Sequence, residues 1–305
     1  MAYAQLILSV IILSQAPNLV KLAQAPAVII CFWRLFLAAV FLGLIGLYTG
    51  KMGEIKRLSS SQWKMIVLTS VVLFIHFILW FMGVHKTSVA NASIIFATNP
   101  LFTAIGSYLL FGEKISVRYL IAMALGLTGI VVTFSQNMQF HPEAFLGDML
   151  VLVSAIFFSG YILLSKKARH HTSNVPFTFI LNLLTAGCSL MTILVLDLTK
   201  GASSFTSLFN HSDQNWWAFI LMAIFPSILG HALFTHTLKY LNVNLMSTTM
   251  LLSPVLASIV SYFFYHETVG SNTILGFLIT ALGVFSLYFP GLKNFLSSRK
   301  KKASL

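Results

Sequence analysis

The chain has 305 residues, of which 57% are hydrophobic and only 9% are charged, and its mean hydropathy is +0.87. Soluble domains carry about 25% charged residues, so this composition excludes an ordinary water-soluble fold. The formal net charge of +12 would suggest a nucleic-acid partner in a soluble protein. In so hydrophobic a chain it reports on membrane topology instead, and no nucleic-acid partner is expected. Cys31 and Cys188 both lie in apolar runs and form no disulfide or metal-binding pattern.

Ten apolar runs follow one another along the chain, each bounded by charged residues, Pro, Gly or Asn. A helix needs about 20 residues to span a bilayer, which matches the length of these runs. Because the runs are continuous rather than alternating, they do not fit a membrane β-barrel. The sequence therefore predicts an all-α polytopic membrane protein with ten transmembrane helices. The predicted spans cover residues 4–20, 28–49, 63–84, 88–111, 116–135, 147–165, 176–197, 216–239, 243–265 and 271–290.

The first run could also be part of a signal peptide, because Ala23-Gln24-Ala25 resembles a cleavage site. Three features oppose this interpretation. No Lys or Arg precedes the apolar stretch, Lys21 interrupts the approach to the site, and Pro26 follows it. Helix 1 is therefore expected to be retained.

The positive charges predict the orientation, since cytoplasmic loops are rich in Lys and Arg. With the N-terminus inside, 15 of the 19 basic residues fall in the cytoplasmic loops and tail. The chain is thus expected in an inner or plasma membrane with both termini cytoplasmic. A basic tail over 293–305, which includes Arg299 to Lys302, would anchor on the anionic leaflet. The 15 residues are Lys51, Lys56, Arg57, Lys64, Lys114, Arg118, Lys166, Lys167, Arg169, Lys239, Lys293, Arg299, Lys300, Lys301 and Lys302.

An internal repeat appears when the sequence is compared with itself at an offset of 154 residues. Pro100 then aligns with Pro254 and Glu113 with Glu267, with eight identities between 83–134 and 237–288. The repeat unit holds five helices, and an odd number inverts the second copy relative to the first. We therefore predict two inverted five-helix repeats, over 1–137 and 138–292. Inverted repeats place a substrate site at their interface near the membrane midplane, which predicts a transporter that works by alternating access.

Small residues form the same stripe on helices 5 and 10 and allow close helix packing. Packing inside one monomer is the favoured interpretation, and a dimer interface is the alternative. The stripes are Ala122, Gly126 and Gly129, and Gly276, Thr280 and Gly283.

These motifs resemble the drug/metabolite transporter superfamily, specifically its ten-helix proteins with two EamA domains. The first copy reads Lys86-Thr87-Ser88-Val89-Ala90-Asn91-Ala92, Asn99-Pro100, Phe111-Gly112-Glu113 and Gly126 to Gly129. The second copy reads Leu238-Lys239-Tyr240, Ser253-Pro254, His266-Glu267 and Gly283. Helix 2 matches the family's Pro and Arg with Pro26 and Arg34. The chain departs from the family at helix 1, where Ser14 to Asn18 replace a Trp-Gly pair, and at His266.

The resemblance implies a secondary carrier of a small organic metabolite, foremost an amino acid or a derivative, that exports its substrate. The alternative on the same fold is an importer or exchanger of nucleotide-like or nucleoside-derived metabolites. An enzyme is not expected, because the sequence holds no phosphate-binding loop, catalytic triad or metal cluster. No cofactor is implied.

Polar side chains inside apolar spans are costly unless they face a cavity or a partner, so each is a candidate for substrate binding. No Asp or Glu lies at mid-span, so histidines are the groups that could couple protons. His76 and Trp80 are four residues apart on one face of helix 3, where the histidine could instead bond a neighbouring backbone. The candidates are Gln15, Asn18, Arg34, His76, Trp80, Asn99, Asn182, His231 and Ser253.

Pro100 and Pro254 lie in corresponding spans of the two repeats and are expected to kink helices 4 and 9. Paired kinks could line the path and support gating, or could serve packing alone. For Arg34 two alternatives stay open. Its guanidinium could bind a substrate carboxylate, or it could reach to the membrane surface.

Overall fold

The computed structural model describes residues 1–87, 89–135, 144–169, 172–200, 208–265 and 270–287. Within these ranges the chain is helical and contains no strand, as the sequence predicts. Several residues named above lie outside the described residues, namely Ser88, His266, Glu267 and the tail 293–305.

Ten helical segments in the described ranges correspond to the ten predicted spans. Seven are long and apolar enough to cross a membrane, and three are shorter apolar helices, Val117–Thr133, Val243–Ala257 and Ile274–Phe285. A 3-10 helix, Lys51–Arg57, joins the second segment to the third. The segments are α1 (Ala2–Leu13 and Ala16–Leu22), α2 (Ala27–Tyr48), α3 (Ser60–Lys86), α4 (Val89–Phe96 and Asn99–Phe111), α5 (Val117–Phe134), α6 (Phe145–Ala168), α7 (Asn174–Lys200), α8 (Asp213–Met222, Ala223–His231 and Ala232–Thr237), α9 (Val243–Thr249, Met250–Leu252 and Ser253–Tyr265) and α10 (Ser271–Phe285).

Four of these segments are interrupted near a proline. Pro17 and Pro100 occupy the first turn of the second piece of α1 and α4, where a missing backbone N–H is tolerated. Pro226 lies inside a π-helical stretch of α8, and Pro254 follows a 3-10 turn in α9. At Pro100 and Pro254, where the sequence predicts kinks, the structure has local departures from α-helical geometry: a two-residue turn before Asn99 and a 3-10 turn before Ser253.

Helix packing follows the repeat. The contact between α3 and α6 has its counterpart between α8 and α1, and α3 packs on α7 as α8 packs on α2. The pairs α2 with α7, α4 with α9 and α5 with α10 join equivalent helices. Exchanging each helix for the one five positions later therefore preserves this set of contacts, as expected for two five-helix repeats related by a two-fold axis.

The small-residue stripes bring α5 and α10 into close contact with each other. A Cβ atom on Gly129 would overlap Thr280 and the carbonyl oxygen of Gly276. In the equivalent contact, a Cβ atom on Gly283 would lie 3.0 Å from the carbonyl oxygen of Ala122. Both stripes are thus used within one chain, in a symmetric contact that only small side chains permit.

The two ends of the helical bundle differ in charge. At one end α2, α4, α6 and α8 finish, and we call it the basic face because of the basic residues in its loops and in the adjoining helix turns. These are Lys51, Lys56, Arg57, Lys64, Lys114, Arg118, Lys166, Lys167, Arg169 and Lys239. At the other end, the opposite face, Thr87 donates a hydrogen bond to Asp148 Oδ1 at 2.6 Å, and Asn215 Oδ1 accepts one from the Gln24 amide at 2.8 Å.

Candidate functional site

A cavity of about 530 Å³ lies between α1, α2, α3, α4, α6, α8 and α9. It extends to Gln24 and His85, near the ends of α1 and α3 on the opposite face. All four interrupted helices contribute to its wall, with Ser14, Ala97, His231 and Met250 next to or within the breaks. The cavity therefore lies between the two repeats, where the sequence predicts the substrate site, and reaches toward the opposite face.

Most of the predicted site residues meet at this cavity. Three do not line it: Gln15, Asn182 and Pro100. Asn182 is buried in α7, away from the wall. The predicted residues on the wall are Asn18, Arg34, His76, Trp80, Asn99, His231, Ser253 and Pro254.

Arg34 is buried, with only 2% of its surface exposed, so its side chain does not reach the membrane surface. Its Nε donates a hydrogen bond to Ser227 Oγ on α8 at 2.9 Å. The guanidinium carbon lies 4.8 Å from the centre of the Phe77 ring, close enough for a cation–π interaction. Because Nε is bound, the terminal nitrogens of the guanidinium are the donors available to an anion in the cavity.

His76 lies on the wall with one ring nitrogen already bound. Nδ1 is 3.1 Å from the Ser154 carbonyl oxygen and 2.9 Å from Ser154 Oγ, on α6. A carbonyl oxygen can only accept, so the proton is assigned to Nδ1 and Nε2 is the remaining acceptor. The backbone bond foreseen as an alternative role is therefore present on a residue that also lines the cavity. His76 can act as both a packing residue and a hydrogen-bond acceptor.

His231 lies at the end of the π-helical stretch of α8. Its Nδ1 is 3.5 Å from the Tyr161 hydroxyl, and its ring stands edge-on to Phe77 at a centroid distance of 6.0 Å. Phe77 thus contacts both His231 and the Arg34 guanidinium. The Phe77 ring on α3 therefore links Arg34 on α2 to His231 on α8.

Asn18 joins the end of α1 to α9. Its Nδ2 donates to Gln15 Oε1 at 3.1 Å and to the Ala257 carbonyl oxygen at 3.3 Å. Gln15 therefore supports a wall residue instead of lining the cavity itself. This contact links a helix of the first repeat to a helix of the second beside the cavity.

Besides the predicted Trp80, three phenylalanine rings that the sequence did not single out line the cavity: Phe77, Phe96 and Phe158. Phe96 and Phe158 pack around His76 with centroid distances of 5.6 and 4.9 Å, and Trp80 packs edge-on against Phe81 at 5.3 Å. Phenylalanine is common in lipid-facing helices, so its abundance alone did not point to a site. Ser154 and Ser227, which hold His76 and Arg34, were also missed because small polar residues recur throughout the spans.

At the basic face the bundle is closed by polar contacts between helices. Lys166 Nζ on α6 lies 2.6 Å from Glu113 Oε1, which follows α4. Arg169 is buried and donates to the carbonyl oxygens of Thr235 at 3.2 Å and Thr172 at 2.8 Å. Burial lowers the pKa of Arg169 to about 10, so it stays charged at neutral pH. No described residue of the cavity wall lies at this face.

A carboxylate from the basic face also caps a helix. Glu54 Oε1 accepts a hydrogen bond from the Ser173 hydroxyl at 2.7 Å, and Oε2 accepts one from the Ser173 amide at 3.0 Å. These two bonds favour the charged carboxylate and lower the pKa of Glu54. Glu54 thereby ties the 3-10 helix to the start of α7, where a negative charge is favourable.

Metal binding has no support in the described part of the chain, where no three His, Cys, Asp or Glu side chains come together. The groups that could bind a ligand are the guanidinium, imidazole, amide and hydroxyl groups of the cavity wall.

Comparisons with known proteins agree with this architecture. The EamA-like transporter family matches the chain over residues 1–135 and 145–289. An uncharacterized transporter of Clostridium kluyveri is 22% identical over 205 residues, which are 66% of this chain and 64% of that protein. The match therefore spans just under two thirds of that relative. An S-adenosylmethionine uptake transporter of Rickettsia prowazekii is 23% identical over 275 residues, 90% of this chain and 86% of that one.

A protein of known crystal structure has the same fold, with a TM-score of 0.78 at 17% sequence identity, over 94% of this chain and 96% of that one. Two family matches, one in each half, cover nearly the whole chain and coincide with the two five-helix repeats. The resemblance derived from the sequence motifs is confirmed. The chain belongs to the EamA-like transporter family, in the drug/metabolite transporter superfamily, and is a membrane transporter with two EamA domains.

Proposed function

We propose that the chain is a secondary transporter of an amino acid or an amino acid derivative and that it works by alternating access. The cavity between the repeats would hold the substrate, and in this conformation the cavity is open toward the opposite face. Rocking of one repeat against the other would close that face and open the basic face. The candidates Asn18, Arg34, His76, Trp80, Asn99, His231 and Ser253 are the proposed substrate contacts.

The proposal rests on the position of the charged Arg34 side chain on the cavity wall. Among the described residues that line the cavity, it alone has a permanent charge, and no carboxylate lines the cavity with it. A buried guanidinium with free terminal donors favours a carboxylate, which it can bind through two hydrogen bonds. The apolar and aromatic remainder of the wall suits the side chain of such a substrate.

A second candidate is uptake of a nucleoside-bearing amino acid derivative. Relatives from Rickettsia are named as S-adenosylmethionine uptake transporters, at 23–25% identity to this chain. The aromatic rings of Trp80, Phe96 and Phe158 could stack on a nucleobase. Such a metabolite has the same carboxylate for Arg34, so the two candidates differ in side chain and in direction.

Export remains the direction that we propose for the first candidate. We further propose an inner or plasma membrane, with the basic face and both termini in the cytoplasm and one chain as the functional unit. The boundaries 1–137 and 138–292 stay our proposed domain limits. In this orientation the cavity faces away from the cytoplasm, as it would after substrate release in an export cycle.

Flux measurements in proteoliposomes test the proposal. The purified protein is reconstituted, and uptake and efflux of labelled amino acids and S-adenosylmethionine are measured with and without an imposed pH gradient. We expect saturable flux of at least one amino acid or derivative in protein-containing vesicles above that in protein-free vesicles. Inhibition by excess unlabelled substrate is the control for leak. Flux equal to that of protein-free vesicles for the whole panel would overturn the proposal, and efflux without uptake would favour export.

A further inference from the structure

Two polar side chains of the cavity wall occupy the same place in the two repeats. Asn99 and Ser253 are 154 residues apart, and each directly precedes the proline that begins a helical piece. Both line the cavity, one from α4 and one from α9. The two-fold relation therefore places one polar group from each repeat at a corresponding position on the wall.

Asn99 presents a hydrogen-bond acceptor without a partner. Its Nδ2 donates to the Phe96 carbonyl oxygen at 2.9 Å, the group that Pro100 leaves without its helical donor. The Ser159 hydroxyl donates to the Asn99 carbonyl oxygen at 2.8 Å and holds this stretch of α4. Because Nδ2 is bound to a carbonyl, the amide orientation is defined. In the described structure Oδ1 has no partner, although the residue is only 3% exposed.

Ser253 also lacks a hydrogen bond to its side chain. Its Oγ is buried and has no partner among the described residues, and a hydroxyl can both accept and donate. Buried polar atoms are nearly always paired in folded proteins, because water is lost without compensation otherwise. Both residues line the cavity, and each of these two buried atoms gains a partner if a ligand that supplies hydrogen-bond donors reaches it.

We propose that Asn99 and Ser253 form an amino-group subsite, in which Asn99 Oδ1 and Ser253 Oγ accept hydrogen bonds from the ammonium of a substrate whose carboxylate binds Arg34. This proposal rests on the proposed function and makes it narrower. The substrate class is an α-amino acid, or a derivative, whose amino group and carboxylate are both free. One residue from each repeat binds the amino group.

The charges on the wall make this subsite selective against simple amines. Asn99 and Ser253 are neutral, and the described wall carries the positive charge of Arg34 with no carboxylate. An ammonium ion can be accepted there only when the ligand brings its own negative charge. A zwitterion satisfies this condition, whereas an amine that lacks the carboxylate does not.

Binding of matched probes to the purified protein tests the subsite independently of flux. Calorimetric titrations use two amino acids, L-methionine and L-phenylalanine. For each, the amine without the carboxylate and the acid without the amine are compared: 3-(methylthio)propylamine with 4-(methylthio)butanoate, and 2-phenylethylamine with 3-phenylpropanoate. The wild-type protein should bind an amino acid and should not bind the corresponding amine.

Three variants separate the amino-group subsite from general damage. In N99L or S253A an amino acid should bind about tenfold more weakly, as expected for loss of a hydrogen bond to a charged group, while binding of the acid changes little. N99D keeps the side-chain size and supplies a negative charge, so it should gain binding of the amine. Asn272→Leu and Ser286→Ala, near the two ends of α10 and outside the wall, are matched controls that should bind as the wild type does.

An equal loss for amino acid and acid in N99L and S253A, or no gain of amine binding in a folded N99D, overturns the subsite. Wild-type binding of the amine as tight as that of the amino acid also overturns it. If the folded wild type binds none of the six probes, the proposed amino acid class is wrong and the subsite proposal falls with it.

Discussion

At the scale of single residues, the polar groups of the cavity depend on partners distant in sequence. The sequence predicted Arg34 and His76 as site candidates because polar side chains are costly inside apolar spans. It could not predict that Ser227 and Ser154 hold them, since these partners are 193 and 78 residues away and resemble many other serines. The burial of Arg34 was likewise undecided, because the choice between a cavity and the membrane surface depends on how α2 and α8 pack.

Glu54 is a single residue with a testable pH effect. Its pKa is lowered from 4.5 by two hydrogen bonds from Ser173, so the folded state favours the charged carboxylate. The stabilisation is therefore fully present above pH 4.5 and is lost as the pH falls through the lowered pKa of the folded state. We expect the wild type to melt at a higher temperature than Glu54→Gln at neutral pH, with a difference that shrinks below pH 4.5.

Thermal unfolding of both proteins in the same detergent, between pH 3 and 7, measures this difference. The control is Gln62→Ala, which removes a capping hydrogen bond from the Ser59 amide and no charge. Glu113→Gln would not serve, because it also breaks the ion pair with Lys166. The pH dependence of Gln62→Ala should follow that of the wild type. A Glu54→Gln difference that stays constant down to pH 3 would contradict the role of the charged carboxylate.

At the scale of helices, the sequence predicted the existence and order of the ten segments and kinks at Pro100 and Pro254, but not the form of the interruptions. Span length and charge boundaries are local properties, which is why the runs were recognisable. The form of a break depends on hydrogen bonds made in the folded bundle, as before Pro100, where Asn99 Nδ2 donates to the Phe96 carbonyl oxygen. A proline alone does not decide between a bend, a break and the π-helical stretch that surrounds Pro226.

The contact between α5 and α10 requires glycine at the point of closest approach. Gly129→Ala places a Cβ atom against the carbonyl oxygen of Gly276, and backbone cannot move aside as a side chain can. We expect a loss of about 1–3 kcal/mol in the free energy of unfolding, as for other overpacked contacts. Gly187→Ala is the matched control, because nothing lies within 4 Å of its added Cβ atom. Equal melting temperatures for the two variants would contradict the close approach.

The ion pair between Lys166 and Glu113 is expected to favour closure of the basic face. A partly exposed pair contributes about 0.5–1 kcal/mol, so Glu113→Gln should raise the population open to that face a few-fold. The measurement is the rate at which a thiol reagent modifies Thr103→Cys, a buried position in α4, after Cys31 and Cys188 are replaced by Ala. The reversed pair, Glu113→Lys with Lys166→Glu, should restore the slow rate. An unchanged rate in Glu113→Gln would show that this pair does not control access.

At the scale of the whole molecule, the two repeats explain why the site lies where it does. Equivalent helices meet at α2 with α7, α4 with α9 and α5 with α10, and the interrupted helices converge on the cavity. Since few charges occur inside the spans, the charge of Arg34 has no competitor on the described wall. We therefore expect the cavity to favour a substrate that carries a negatively charged group.

The flux of an amino acid or derivative through variants of Arg34 tests the central claim most directly. Arg34→Gln keeps a donor for Ser227 but removes the charge, and Arg34→Lys keeps the charge without the planar fork. We predict that Arg34→Gln lowers proteoliposome flux at low substrate concentration by about ten- to a hundredfold, as expected for loss of a charge-assisted hydrogen bond, with Arg34→Lys between it and the wild type. Wild-type flux in a correctly folded Arg34→Gln protein would contradict the account.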